Sequence, residues 1–157
     1  MPLVLDLLRH GHAQPAADGG DDMRRLSPRG RADLEQLALR LKDMSYRPDR
    51  VFTSPLTRAR ESALVVMRGV ALDTTPGLLD ALRPESDPDQ VVPALVAAGS
   101  TSGHVLLVGH QPLMGLLAAW LIGGPAPGFP TGTLQRIEFK GALEPATGVA
   151  SLRIAPA

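Results

Sequence analysis

The sequence predicts an α/β fold, three layers deep, with a mostly parallel central sheet between two layers of helices. Three observations carry that expectation. Apolar runs of strand length alternate with segments of helical period along most of the 157 residues. The connections are short, with no linker and no internal repeat of fixed period. The length and a hydrophobic share of 44% suit a single domain, residues 1–157, built on one core.

Residues 3–8, LVLDLL, form the first strand-length run, and DGGDDMRR then reads as a loop. A helix is expected from Pro28, with Ser27 as its cap and proline at its first position. Leu34, Leu37, Ala38, Leu41 and Met44 give it one buried stripe. After the turn YRPDR, RVFTS reads as a short strand. A second helix should open with Ser54 as cap and Pro55 at its first position. Val70 to Asp89 reads as irregular, with a short strand near Leu72 to Thr74. Asp87, Pro88 and Gln90 make a capping-box start for a helix through QVVPALVAAG. HVLLVGH is a buried strand, and PLMGLLAAWLIGG a helix opened by Pro112 and ended by glycines. GTLQRIEFKG and ASLRIAP are two late strands.

Formal net charge is zero, which gives no global attraction to nucleic acid or to an anionic membrane. Anion binding must therefore be local. No cysteine is present, which excludes disulfides, thiolate catalysis and cysteine metal sites and is compatible with the cytoplasm. MPLVLDLLRH has no basic segment ahead of its apolar run, and Asp6 interrupts that run, so it does not read as a signal peptide. No stretch approaches the roughly 20 apolar residues that span a bilayer.

In parallel sheets, ligands bind outside the carboxyl ends of the strands. Arg9 and His10 follow the first strand, and His110 follows VLLVG. Arg58 falls in the first turn of the helix after the second strand. An arginine is mildly disfavoured there unless an anion shares the helix N-terminus. His110, beside a helix start, should have a lowered pKa. His10, flanked by Arg9 and by Gly11, which permits close approach, could attack phosphorus through a neutral ring nitrogen. The other ring nitrogen would need an acceptor to fix the tautomer. Two arginine forks would hold the non-bridging oxygens, and that set suffices without a metal or other cofactor. Arg60 reads as a surface arginine or a partner for Glu61, and His12 as a loop residue. A metal site would have to draw on His10, His12 and His104, and His104 lies near a strand start, at the opposite edge.

These residues resemble a known family. LLRHGHA is similar to the RHG signature of the histidine phosphatase superfamily, the phosphoglycerate mutase-like fold. LSPRGRADLEQLALRL, VFTSPLTRARESA and HVLLVGHQPLMG resemble the segments that follow, in the family's order. The resemblance implies that His10 is a nucleophile forming a phosphohistidine intermediate, with Arg9, Arg58 and His110 completing the phosphate pocket. Gly11 and Gln111 are expected on the substrate side. The stretch LLDALRPESDPDQVVPAL resembles the SixA group, small phosphohistidine phosphatases with an open site and no large cap insertion. Relatives with a general acid carry it in this region. Asp80 is the candidate here, ahead of Glu85 and of Asp87, which reads as a helix cap. The substrate implied is a phosphorylated histidine on a protein or a small phosphorylated molecule. A small-molecule phosphomonoesterase and a binding domain without turnover are the alternatives.

Overall fold

The structure, a computed structural model, describes residues 2–157. Its strands are β1 (Leu3–Arg9), β2 (Arg50–Thr53), β3 (Gly77–Leu78), β4 (Gly103–Gly109), β5 (Leu134–Glu138) and β6 (Val149–Ile154). They form one sheet in the order β3-β2-β4-β1-β5-β6. The first four are mutually parallel, and β5 and β6 run antiparallel at one end. The helices are α1 (Pro28–Asp43), α2 (Thr57–Gly69), α3 (Val91–Ala97) and α4 (Leu113–Ile122).

Strand alternation sorts the core into two halves. Leu3, Leu5 and Leu7 of β1, with Val105 and Leu107 of β4, pack with Leu95 of α3 and Leu113, Leu117 and Leu121 of α4. Leu8, Leu106 and Val108 point the other way, onto Leu34, Leu37, Ala38 and Leu41 of α1 and Ala59, Ala63 and Val66 of α2. The helical stripe expected from Leu34 to Leu41 is thus the buried face of α1. Met44 lies beyond that helix and is exposed.

Capping follows the sequence closely at three helices. Ser27 Oγ accepts from Gly30 N–H at 3.0 Å, with Pro28 at the first position of α1. Asp87 and Gln90 form the capping box, around a 3-10 turn at 88–90 that runs into α3. Gly123, at φ 85°, ends α4 in the left-handed conformation that glycine tolerates.

Two expectations need correction. The second helix begins at Thr57, with Leu56 in the cap position and no side-chain cap. Ser54 does not cap it, because its Oγ lies 2.6 Å from His110 Nε2 and accepts from Leu56 N–H. The short strand falls at Gly77–Leu78 rather than near Leu72 to Thr74. The chain is still closing α2 at the earlier position: Ala71 is left-handed, at φ 57°, and Leu72 N–H reaches back to the Met67 carbonyl at 2.8 Å.

Asp6 is fully buried in the middle of β1. It accepts from Tyr46 Oη at 2.7 Å, His104 Nε2 at 2.6 Å and Arg136 Nε at 2.9 Å. Burial alone would push this carboxyl up. The bonds from His104, Arg136 and Tyr46 outweigh it and hold the pKa below the usual carboxylate range. One carboxylate therefore ties β1 to β4, to β5 and to the segment after α1. His104 stands at the N-terminal end of β4, opposite Val4 and away from the strand ends that carry His10 and His110. Removing the acceptor strands three donors. Asp6→Ala is expected to lower unfolding stability by about 3 kcal/mol, read as a shift in the urea midpoint.

Candidate active site

Register brings the site together. Arg9 pairs with Gly109 on neighbouring parallel strands, and Thr53 pairs with Val108. The next residues out are His10, His110 and Ser54, all leaving the sheet at one edge. His10 N–H donates to the Gly109 carbonyl at 3.0 Å, extending the ladder by one step. The two imidazoles meet with ring centroids 4.9 Å apart and planes inclined by 53°.

His10 is 7% exposed, and its Nδ1 lies 2.7 Å from the Gly11 carbonyl. A carbonyl only accepts, so Nδ1 carries the proton and Nε2 keeps the lone pair. Gly11 supplies that carbonyl and donates its N–H to Ser62 Oγ at 3.0 Å. Its lack of a side chain serves packing: a Cβ there would stand 2.8 Å from Leu34 Cδ1. At Gly30 a Cβ would overlap the His12 carbonyl, so α1 presses directly on the loop that follows β1. Gly11 thus orients the imidazole and fits the helix, and its backbone groups are both engaged by protein.

Arg9 NH1 donates to the Phe129 carbonyl at 2.9 Å. Arg58, 5% exposed, donates through NH1 to the Asp21 carbonyl at 2.8 Å and through NH2 to Asp21 Oδ2 at 3.2 Å. Among the described residues, four buried side-chain polar atoms have no protein partner. They are Arg9 Nε, Arg58 Nε, His110 Nδ1 and Thr133 Oγ1. Three belong to residues singled out from the sequence, and Thr133 is the neighbour whose carbonyl accepts from Arg9 N–H. Buried donors left without an acceptor are costly. They lie at the end of β1, in the first turn of α2, after β4 and just before β5, where an anion would supply acceptors.

The other expected residues fall elsewhere. Asp80 opens a 3-10 turn, its side chain is 88% exposed, and its carboxylate contacts Arg83 at 3.4 Å. Arg83 in turn reaches Asp22 at 3.5 Å. Asp80 is thus tied to the loop beside Asp21 and touches neither histidine. Gln111 turns its Oε1 to Gly115 N–H at 2.7 Å, inside the first turn of α4. His12 is exposed and hydrogen-bonded to Ser27 Oγ. Glu61 pairs with Arg25, not Arg60, and also accepts from Leu26 N–H. No group of three or more His, Cys, Asp or Glu capable of holding a metal occurs among the described residues. No helix there is long and apolar enough to cross a membrane.

Sequence reasoning missed Asp21, Arg24, Ser54, Ser62 and Thr133. Asp21 holds Arg58 and also accepts from Arg24 NH1 at 3.0 Å. The guanidinium of Arg24 contributes to the field at His10. Only Ser54 carried a usable signal, its position straight after a strand ending at the same edge. The remainder sit where loop geometry decides.

Burial pushes the His10 pKa down to about 4, helped by Arg58, Arg9 and Arg24 and opposed by the Gly11 carbonyl. His110 falls to about 3 through burial, then its neighbours His10 and Arg58, against an opposing pull from Asp21 and with a further contribution from Arg9. The Asp21 carboxyl is lowered, chiefly by its bond from Arg24. It is therefore ionised at neutral pH and cannot serve as a proton donor. Both imidazoles are neutral there.

The profile of the histidine phosphatase superfamily (branch 1) matches residues 5–82. Phosphohistidine phosphatase SixA of Escherichia coli (strain K12) is 32% identical over 123 residues, covering 77% of this chain and 75% of that one. The chain belongs to the histidine phosphatase superfamily. Within it the likeness is to the SixA-type group. A solved structure of the protein histidine phosphatase SixA complexed with tungstate superposes with a TM-score of 0.86, at 28% identity, over 98% of this chain and 97% of that one. One of the putative phosphohistidine phosphatase SixA from Agrobacterium tumefaciens gives 0.81, at 27% identity, over 99% of each chain. As a member of this superfamily the chain is a phosphatase, a hydrolase of phosphoryl compounds.

The buried histidines make stability depend on pH in a stated direction. Their folded pKa values lie below the ~6.5 of an exposed histidine. As pH falls below that value the unfolded chain takes up protons that the folded chain refuses. The stabilisation from neutral burial is complete above pH ~6.5 and is lost as pH falls towards about 4 for His10 and about 3 for His110. Calorimetry should show the melting temperature falling between pH 7 and pH 5. The fall should be shallower in His10→Gln, which has no proton to gain. Equal slopes would contradict the assignment.

Proposed function

We propose that this phosphatase acts, without a metal, on phosphohistidine carried by another protein. The observation that carries the reading is the arrangement at His10. One ring nitrogen is committed to the Gly11 carbonyl, and Arg9, Arg58 and His110 bring buried, unpartnered nitrogens to the same strand edge.

In the first step, the Nε2 lone pair of His10 attacks phosphorus. The P–Nε2 bond forms as the bond from phosphorus to the substrate nitrogen breaks. The substrate imidazole departs with the electron pair, neutral when its other nitrogen already bears a proton. The phosphorylated His10 ring is then cationic, with its Nδ1 proton still held by Gly11. In the second step, water attacks phosphorus, the P–Nε2 bond breaks, and the ring leaves as neutral imidazole. The proton from water ends on inorganic phosphate. Arg9 and Arg58 neutralise the non-bridging oxygens throughout, which is where most of the barrier in phosphoryl transfer is lowered.

A phosphoramidate suits this site better than an alkyl phosphate. An alkoxide leaving group needs a general acid, whereas imidazole leaves near neutrality. The carboxylate in contact with the phosphate-binding arginine is Asp21, which is ionised and held in an ion pair. The chain between α2 and α3, residues 70–90, holds a two-residue strand and two 3-10 turns, with no inserted cap. An uncapped site fits a side chain projecting from a protein. A cytoplasmic setting belongs to the same reading and is compatible with the cysteine-free composition.

The test is rapid-quench trapping with a phosphohistidine peptide, beside an alkyl phosphate such as phosphoserine as the ester control, whose alkoxide leaving group needs an acid. Acid-labile, base-stable label should appear on the wild type and be absent from His10→Ala, with the peptide turned over faster than the ester. Arg58→Ala should lower kcat roughly 100-fold, and Asp80→Asn should leave peptide turnover within about twofold of wild type, because Asp80 touches neither histidine. Faster turnover of the ester, with a large loss in Asp80→Asn, would favour a small-molecule phosphomonoesterase. Unchanged peptide binding by His10→Ala, with no phosphate released by the wild type, would indicate a binding domain.

A further inference from the structure

The hydroxyl of Ser54 has one role not accounted for by the reaction scheme. Ser54 is fully buried. Its Oγ accepts from Leu56 N–H at 3.2 Å and lies 2.6 Å from His110 Nε2. A serine hydroxyl has one proton to donate as well as lone pairs to accept with. Among the described residues, His110 Nε2 is the acceptor within reach of that proton. Were Nε2 protonated, it would donate to Oγ, and the Ser54 proton would be buried without an acceptor, at a cost on the order of 1–3 kcal/mol. Full satisfaction of the pair requires the hydroxyl to donate to a bare Nε2. A neutral imidazole has one proton, which then sits on Nδ1.

His110 Nδ1 is the buried nitrogen that has no protein partner and whose ring stands against His10. We propose that Ser54 is a positioning residue that locks His110 in its Nδ1–H form and so makes it a fixed hydrogen-bond donor to the transferring phosphoryl group. The lone pair of His110 is occupied by Ser54, so the ring cannot accept a proton from the attacking water. The two histidines share a tautomer and do opposite work. In His10 the Nδ1 proton is tied to Gly11, which frees a lone pair for attack. In His110 the lone pair is tied to Ser54, which frees a proton for donation.

The functional consequence rests on the phosphatase reading above, whereas the tautomer does not. Long-range proton–nitrogen NMR correlation on uniformly labelled protein distinguishes a protonated ring nitrogen from a bare one. Wild type at pH 7 should show His110 protonated on Nδ1 and bare on Nε2. In Ser54→Ala the Nε2–H form should appear, with kcat on a phosphohistidine peptide lowered roughly 10- to 100-fold. A wild-type His110 protonated on Nε2 would overturn the proposal. So would a Ser54→Ala protein with the wild-type tautomer or with wild-type kcat. Absence of turnover in the wild type would sink the phosphatase reading instead, and the ring-nitrogen spectra would still decide the tautomer.

Discussion

The site depends on the register between two parallel strands. With Arg9 opposite Gly109, the first residues beyond the sheet on β1 and β4 are both histidines, and their rings come within contact. A slip of one residue would send the side chains of one strand to the opposite face and part the pair. The register is held by more than the ladder. Alternating leucines fill both halves of the core, and Asp6 clamps β1 to its two neighbours from inside the sheet. The carboxylate in the core and the imidazoles at its edge are thus linked: one fixes the strand on which the other is mounted.

The electrostatics are local. A chain of zero formal net charge sets guanidinium groups around two buried imidazoles, and the result is a pair of histidines kept neutral by burial and by like charge. Neutrality is what the nucleophilic role proposed for His10 requires, because attack needs a free lone pair on Nε2. Asp21 balances Arg58 and Arg24 without entering the pair's chemistry as an acid. Its carboxylate and carbonyl both lie on one guanidinium, so Arg58 is held in place through NH1 and NH2 while Nε stays unpartnered.

Five of the six strands, the four helices and the strand ends that carry His10 and His110 were legible in the sequence, because hydrophobic period and caps such as Ser27, Asp87 and Gln90 are local signals. Arg9, His10 and His110 stood out because they follow apolar runs, and Arg58 because it falls in a helix's first turn, where a cation is disfavoured. What was not legible depended on distance in three dimensions. Ser54 looked like a helix cap, since a serine before a proline is a local signal and its bond to a histidine 56 residues on is not. Gly11 looked like a point of approach for substrate, yet its bare Cα answers to Leu34 on the other side. Asp6 read as an interruption of an apolar run, because its three partners come from segments 40, 98 and 130 residues away. Asp21 and Arg24 lie in a loop with no period, and their place over α2 is set by tertiary contacts alone.

In the mechanism proposed here, separate donors from β1, α2 and the end of β4 converge on a single phosphoryl group attacked by His10 Nε2. A crystal structure with orthovanadate would decide whether they do. Vanadium should be bonded to His10 Nε2, with its oxygens accepting from Arg9 Nε, Arg58 Nε and His110 Nδ1. Vanadate bound elsewhere, or bound at His10 with those three nitrogens still unpartnered, would rule this convergence out.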